Sequence, residues 1–275
     1  MLDDSTVGHE IKMPVTYDRD DTLLYNAAIG GDPISTPQLV VERLGPVVAP
    51  TYAAVLGFRA FRRLFDEAGI EESNMLHLSQ GVDLDRPLDP EGELTIDASF
   101  TAVWDKGSAA IVEVMAVLTD ASGRVGSTSA SLFVKGAGGF GGEKGPKRGP
   151  GIVPETTPEA VAVETVALNQ TSVYRMCGDD NPLHVDPEVA AEWGFHAPIV
   201  HGLWTFAAAC RKAICVGAGG EFDRISHVSG EFAAPLYLGE TIQLRSWPLD
   251  DGLVGEIVTS AGERILANLK VGFRT

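Results

Sequence analysis

The chain has 275 residues, 44% hydrophobic and 21% charged, enough to bury a core in one large domain or two ordinary ones. Its net charge of −17 repels nucleic acid and anionic membrane, so an anionic ligand needs a local cluster of Lys or Arg. No run approaches 18 apolar residues, the start has no basic-then-apolar layout, and Cys177, Cys210 and Cys215 lack metal spacing, so the expectation is a cytoplasmic protein without a membrane span, a secretory leader or disulfides.

In chain order, the first strong periodicity follows Pro50. TYAAVLGFRAFRRLFDEAG predicts a helix with Tyr52, Val55, Leu56, Leu64 and Phe65 on one face. Leu94 to Trp104, Ser108 to Thr119 and Arg124 to Val134 predict long strands, turned at Asp-Lys-Gly and Ala-Ser-Gly. A stretch dense in Gly, Pro and Lys follows, KGAGGFGGEKGPKRGPGIVP, either a loose linker or a loop that packs on a ligand. Asp186 and Pro187 read as the N-cap and first residue of a short helix, with Glu188 favouring its dipole. After Pro198 comes a second long helix, with Ile199, Leu203, Phe206, Ala207, Cys210 and Ile214 on one face and a stop at Val-Gly-Ala-Gly-Gly. Thr241 to Trp247, Leu253 to Ser260 and Arg264 to Phe273 predict further strands.

The two halves read as diverged copies. Tyr25 and Tyr174, Pro50 and Pro198, Pro87-Leu88 and Pro235-Leu236, and Gly92-Glu93 and Gly239-Glu240 recur in the same order at offsets of 147 to 149. Each copy is one long helix with a set of antiparallel strands, and such a helix buries its stripe only by lying across the sheet. The expected class is α+β, two hotdog units in tandem: residues 1–134, a connector 135–156, and 157–275.

Polar residues concentrate between Tyr174 and Gly202. Gly178 and Pro182 shape a turn in which Asp179, Asn181 and His184 fall within six positions. A carboxylate beside an imidazole is a general acid/base pair. His201-Gly202 opens the long helix, where free amides and the dipole can stabilise an oxyanion; His201 itself reads as a brace for the loop. The first copy keeps Gly31-Asp32-Pro33 but continues without a histidine, so the shared fold does not require the pair.

The stretch GDDNPLHVDPEVAAEWGFHAPIVHG resembles the signature of MaoC-like dehydratases, the (R)-specific type-2 enoyl-CoA hydratases. LLYNAAIGG, LHLSQ, WDKGSAAIV, the connector, LNQTSVYR and EFAAPLYLGE extend the likeness to the double-hotdog region of peroxisomal multifunctional enzyme type 2. The resemblance implies a hydro-lyase in which Asp179 and His184 activate water, Asn181 holds the hydrogen bonds and Gly202 N–H binds the thioester oxygen. It places contacts to the acyl-CoA, or an acyl carrier protein thioester, on His77, Leu78, Lys106, Asp180, Pro182, Leu183 and Phe232. Lys144, Lys147 and Arg148 are further candidates for the CoA phosphates. Leu78 departs from the family's glycine, and Cys177 from its serine. No cofactor or metal is implied, and exposed sheet edges suggest a homodimer. A hotdog thioesterase and a non-catalytic acyl-CoA-binding subunit of a heteromeric dehydratase are the rival expectations.

Overall fold

The structure is a computed structural model that describes residues 2–274 except 148 and 150, so the expectation for Arg148 lies outside the described residues. In the first half, β1 (Glu10–Tyr17), α1 (Arg19–Ala28), α2 (Pro37–Val40) and α3 (Tyr52–Glu67) precede β2 (Met75–Leu84), β3 (Gly92–Asp105), β4 (Ala109–Asp120) and β5 (Gly123–Lys135). In the second, β6 (Ala160–Thr165), α4 (Gln170–Tyr174), α5 (Pro187–Glu192) and α6 (Gly202–Gly217) precede β7 (Ile225–Phe232), β8 (Thr241–Leu249), β9 (Gly252–Thr259) and β10 (Arg264–Phe273). The strands form one antiparallel sheet of ten in the order β1-β3-β4-β5-β2-β7-β10-β9-β8-β6. Reversing that order maps each strand of one half onto its copy in the other. The two copies meet where β2 pairs β7, and the Gln80–Gly230 pair sits at the pseudo-dyad because 80 and 230 also differ by the 150 that separates the helix starts 52 and 202.

Each long helix lies across its own half-sheet and buries the stripe read from the sequence. Tyr52, Val55, Leu56, Leu64 and Phe65 are all buried on α3, as are Leu203, Phe206, Ala207, Cys210 and Ile214 on α6. Removing a side chain of this size from water contributes roughly 1.5–3 kcal/mol, so the two stripes are a large part of the drive to cover the sheet. One boundary differs from expectation: α6 begins at Gly202, and Ile199 instead bridges Tyr237. His201, with φ −55° and ψ 132°, is extended and ends the irregular approach.

The connector is neither loose nor folded onto the cavity described below. Asp105 accepts from the backbone N–H groups of Gly107, Gly139 and Gly141 at 2.7, 2.9 and 2.7 Å. Farther along, Ile152 N–H donates to Asn268 Oδ1 at 3.1 Å, and Trp247 Nε1 donates to the Thr156 carbonyl at 3.1 Å. The Gly139, Gly107 and Gly141 amides, Gly139 first, hold the Asp105 carboxyl below its ordinary value. A depressed carboxyl contributes stability that is present above its unfolded pKa and lost as pH falls through the folded one. Asp105→Ala is therefore expected to speed proteolytic cleavage between residues 136 and 147 at neutral pH, and wild type should approach the variant's rate only in acid. Equal cleavage rates at neutral pH would contradict this anchoring.

Candidate active site

The turn after α4 explains how two distant chemistries come together. Gly178 adopts φ +119°, which L side chains rarely tolerate, and reverses the chain into Asp179. Asn181 Oδ1 then accepts from Leu183 N–H at 3.0 Å and caps a short 3-10 turn, Pro182–His184. Pro182 serves as that turn's first residue and lies off the cavity wall. Leu183 is buried and lines the wall. Asp186 caps α5, with its side chain 2.9 Å from Glu188 N, as expected.

A carboxylate oxygen of Asp179 and ring nitrogens of His184 and His201 lie within 4.8 Å of one another. His184 Nδ1 sits 2.8 Å from the Ile199 carbonyl. A carbonyl only accepts, so Nδ1 carries the proton and Nε2 offers a lone pair in the neutral ring. The His201 ring stacks on His184 with centroids 3.8 Å apart and an interplanar angle of 28°. Its Nε2–H donates to the Asp179 main-chain carbonyl at 3.1 Å, which makes it the brace anticipated from the sequence. Asp179, His184 and His201 are the described group that could ligand a metal ion. His184 Nδ1 and His201 Nε2 are already engaged with main-chain carbonyls, which leaves one ring nitrogen of each for any ligand.

Burial governs the protonation of these groups. It raises the Asp179 carboxyl above the carboxylate range, against the opposing pull of His184, the Asn181 amide and Arg62. It lowers His184, against the attraction of Asp179. His201 is brought down to about 2 by burial and by the neighbouring His184, so it stays neutral. Cys177, in the place of the family's serine, is a buried thiol pushed up to about 12 and packs as a small apolar group.

Asp179, His184 and Asn181 open onto a cavity of about 300 Å³ that spans the junction of the halves. Its walls include His77 and Leu78 from β2 and Phe232 from β7, together with Gly202. The rest is largely apolar, with Phe58, Met75, Leu132, Phe195, Leu203 and Ile265. His77 is lowered to about 4 by burial, lies against Phe232 with centroids 5.0 Å apart, and has a buried Nε2 without a hydrogen-bond partner. Gly202 is the first residue of α6, where amides lack intrahelical partners and the dipole is positive. A Cβ there would sit 3.3 Å from the Phe232 ring, so the missing side chain keeps this approach open. In the first half Tyr52 occupies the matching helix start and its ring lies 4.7 Å from Tyr25, filling the equivalent space.

Three expected substrate contacts, Pro182 among them, are not on the wall. Lys106 belongs to the β3–β4 turn, where its ammonium rests on the Lys144 carbonyl, too far into the connector to be part of the cavity lining. Asp180 points out of the cavity and pairs with Arg62 at 2.8 Å. Among the wall residues that sequence reasoning missed are Phe58, Glu72 and Phe195. Phe58 and Glu72 come from the half without the signature, and no local pattern marks them.

Comparison with known proteins gives a consistent picture. The profile of the MaoC like domain matches residues 151–267, and that of the MFE-2 hydratase 2 N-terminal domain matches residues 15–136. An enoyl-CoA hydratase of Mycobacterium tuberculosis is 33% identical over 246 residues, covering 86% of this chain and 86% of the relative. The solved MaoC-like dehydratase of Phytophthora capsici superposes with TM-score 0.87 at 26% identity, over 100% of this chain and 98% of the other. A Mycobacterium tuberculosis protein described as having a double hotdog fold superposes with TM-score 0.63 at 12% identity, over 97% and 96% of the two chains, a likeness of fold alone.

Proposed function

This chain belongs to the MaoC-like dehydratase family in its double-hotdog form, and on that premise we propose that it reversibly hydrates trans-2-enoyl-CoA to (3R)-3-hydroxyacyl-CoA in fatty-acid metabolism. The observation that carries this reading is the convergence of Asp179, His184 and the Gly202 helix end on one apolar cavity.

In the proposed reaction the thioester carbonyl accepts a hydrogen bond from Gly202 N–H. Negative charge then grows on that oxygen as water attacks C3, and a preorganised donor there contributes about 3–4 kcal/mol. Water held between Asp179 and His184 Nε2 loses one proton to the pair and adds its oxygen to C3, and the pair returns a proton to C2. The C2=C3 π bond breaks while one C–O and one C–H bond form. Oxidation states balance without a redox partner, so no cofactor is assigned. Because acid and base hold the same water, both additions come from one face. The first half's role in this reading is to shape the acyl pocket, its His77 and Leu78 lying beside the thioester with Phe232 of the second half; acyl carrier protein is an alternative carrier. A cytoplasmic setting, supported by three unpaired cysteines, and a homodimer paired through the sheet's end strands β1 or β6 complete the proposal.

The test is an absorbance assay with crotonyl-, octenoyl- and longer trans-2-enoyl-CoA, followed by chiral analysis of product. Loss of the enoyl absorbance with formation of the (3R)-hydroxyacyl thioester supports the reading. Release of free thiol points to a thioesterase instead, and binding without turnover points to a non-catalytic subunit.

The pH profile has a defined sign. Asp179 must be ionised to accept a proton, and its carboxyl lies above the ordinary carboxylate range. Activity is then present above the raised pKa and lost as pH falls through it. Since His184 is lowered by burial, it remains neutral through the neutral range. The acid limb of kcat/KM, which belongs to the pair rather than to one residue, is expected in a range above that of an ordinary carboxylate. Undiminished activity through that range would be the contrary result.

A further inference from the structure

The turn that carries Asp179 is gripped from the other half of the chain. Arg62, on α3, donates from Nη1 to the Gly178 carbonyl at 3.1 Å. Its Nη2 lies 2.8 Å from Asp180 Oδ1 and 3.1 Å from Glu72 Oε2. Gly178 and Asp180 flank Asp179 directly, so one planar guanidinium spans the residue between them. Glu72 follows α3 in the short 3-10 turn Glu72–Asn74 and lines the cavity together with Asp179. Three carboxylates therefore crowd one side of the site, and Arg62 is the cation set among them.

Both Arg62 and Asp180 are partly exposed, and ion pairs with this much access to water contribute little to stability. The consequence of the arrangement is geometric and electrostatic. Arg62 and His184 favour the charged form of Asp179, while Asp180 opposes it. Glu72 is pushed up mainly by burial, with Arg62 pulling it down and Asp179 and Asp180 pushing it up. Tyr174 and His201, also packed at this turn, are buried and neutral.

We propose that Arg62 is a positioning residue for the reaction assigned above, holding the Asp179 turn from both sides so that turnover depends on contact between the two halves of the chain. Its kinetic consequence rests on the hydratase reading; its effect on Asp179 does not.

The experiment compares Arg62→Gln, Arg62→Lys and Glu72→Gln in the full chain. Arg62→Gln is expected to lower kcat on crotonyl-CoA at least about 10-fold, because small displacements of a reacting group are costly. KM should stay within about threefold, since the residue touches no substrate. The acid limb of the pH profile should move up, as the cation that favours ionised Asp179 is gone. Arg62→Lys should return the limb toward wild type but recover only part of kcat, because an ammonium cannot span Gly178 and Asp180. Glu72→Gln should move the limb down, and it carries the test should Arg62→Gln fail to fold, as judged by Tm. Carboxyl ¹³C titration of Asp179 in wild type and Arg62→Gln reads the same shift without turnover. Wild-type kcat, or an Asp179 titration that does not move, in Arg62→Gln overturns the inference. A wild-type protein idle toward every enoyl-CoA overturns the hydratase reading instead, and the Asp179 titration alone then decides the role of Arg62.

Discussion

Asp179→Asn is expected to lower kcat for crotonyl-CoA by about 10³-fold while the protein stays folded, the middle of the range for loss of one member of an acid/base pair. The substitution keeps the side chain's shape and hydrogen-bonding reach but removes the charge and the proton acceptor. Asp179 is half-buried, and burial already disfavours its charged form. Replacing it with a neutral amide relieves that cost, so Tm should hold or rise. His184→Ala is expected to lose a comparable factor, since Nε2 is the other contact to the water. The two losses should not add, because the pair handles one proton. Initial rates from enoyl absorbance, with circular dichroism and Tm on the same samples, check both statements. A double variant whose loss is the product of the single losses would indicate independent roles.

Gly202→Pro should cost about 10²–10³ in kcat, the loss associated with one oxyanion donor. Proline is compatible with this position. Gly202 is the first residue of α6, where the missing N–H removes no helical hydrogen bond. His201 already has the extended backbone that a following proline demands. The ring's Cβ would meet Phe232 at about 3.3 Å, a contact a side chain can relieve by a small shift. What the variant loses is the amide hydrogen. Gly202→Ala supplies the control: it adds the same Cβ, keeps the N–H, and should retain far more activity than proline. Equal kcat in the two variants would mean that crowding by Phe232, and not the amide, sets the rate.

Much of the fold could be read because each element carried its own periodicity. The strands Gly92–Asp105, Ala109–Asp120 and Gly123–Lys135 fell within two residues of expectation. Four strands were missed for physical reasons. β1 contains Pro14, which a central strand would not admit; it is tolerated because β1 pairs only β3 at the sheet's edge. β6 is the opposite edge, short and half-exposed, with Val161 and Val163 facing solvent. β2 and β7, at the junction of the halves, carry Gly81 and Gly230 and draw their partners from both copies, which local pattern does not reveal.

The site divides in the same way. Asp179, Asn181 and His184 are close in sequence, so one turn could be seen to aim them together. Arg62 and Glu72 reach the same place from more than a hundred residues away, and no local pattern marks them. Asp180 was drawn into the substrate contacts because it sits inside the signature; the arginine that claims it instead was invisible without the fold.

The most direct test of one water held between a carboxylate and an imidazole is the stereochemistry of hydration in D₂O. Crotonyl-CoA incubated briefly with the enzyme should give 3-hydroxybutyryl-CoA of R configuration at C3, with deuterium at C2 added on the same face as the hydroxyl. Addition of oxygen and deuterium from opposite faces, or a mixture at C2, would require acid and base on separate sides of the substrate and contradict the shared-water geometry.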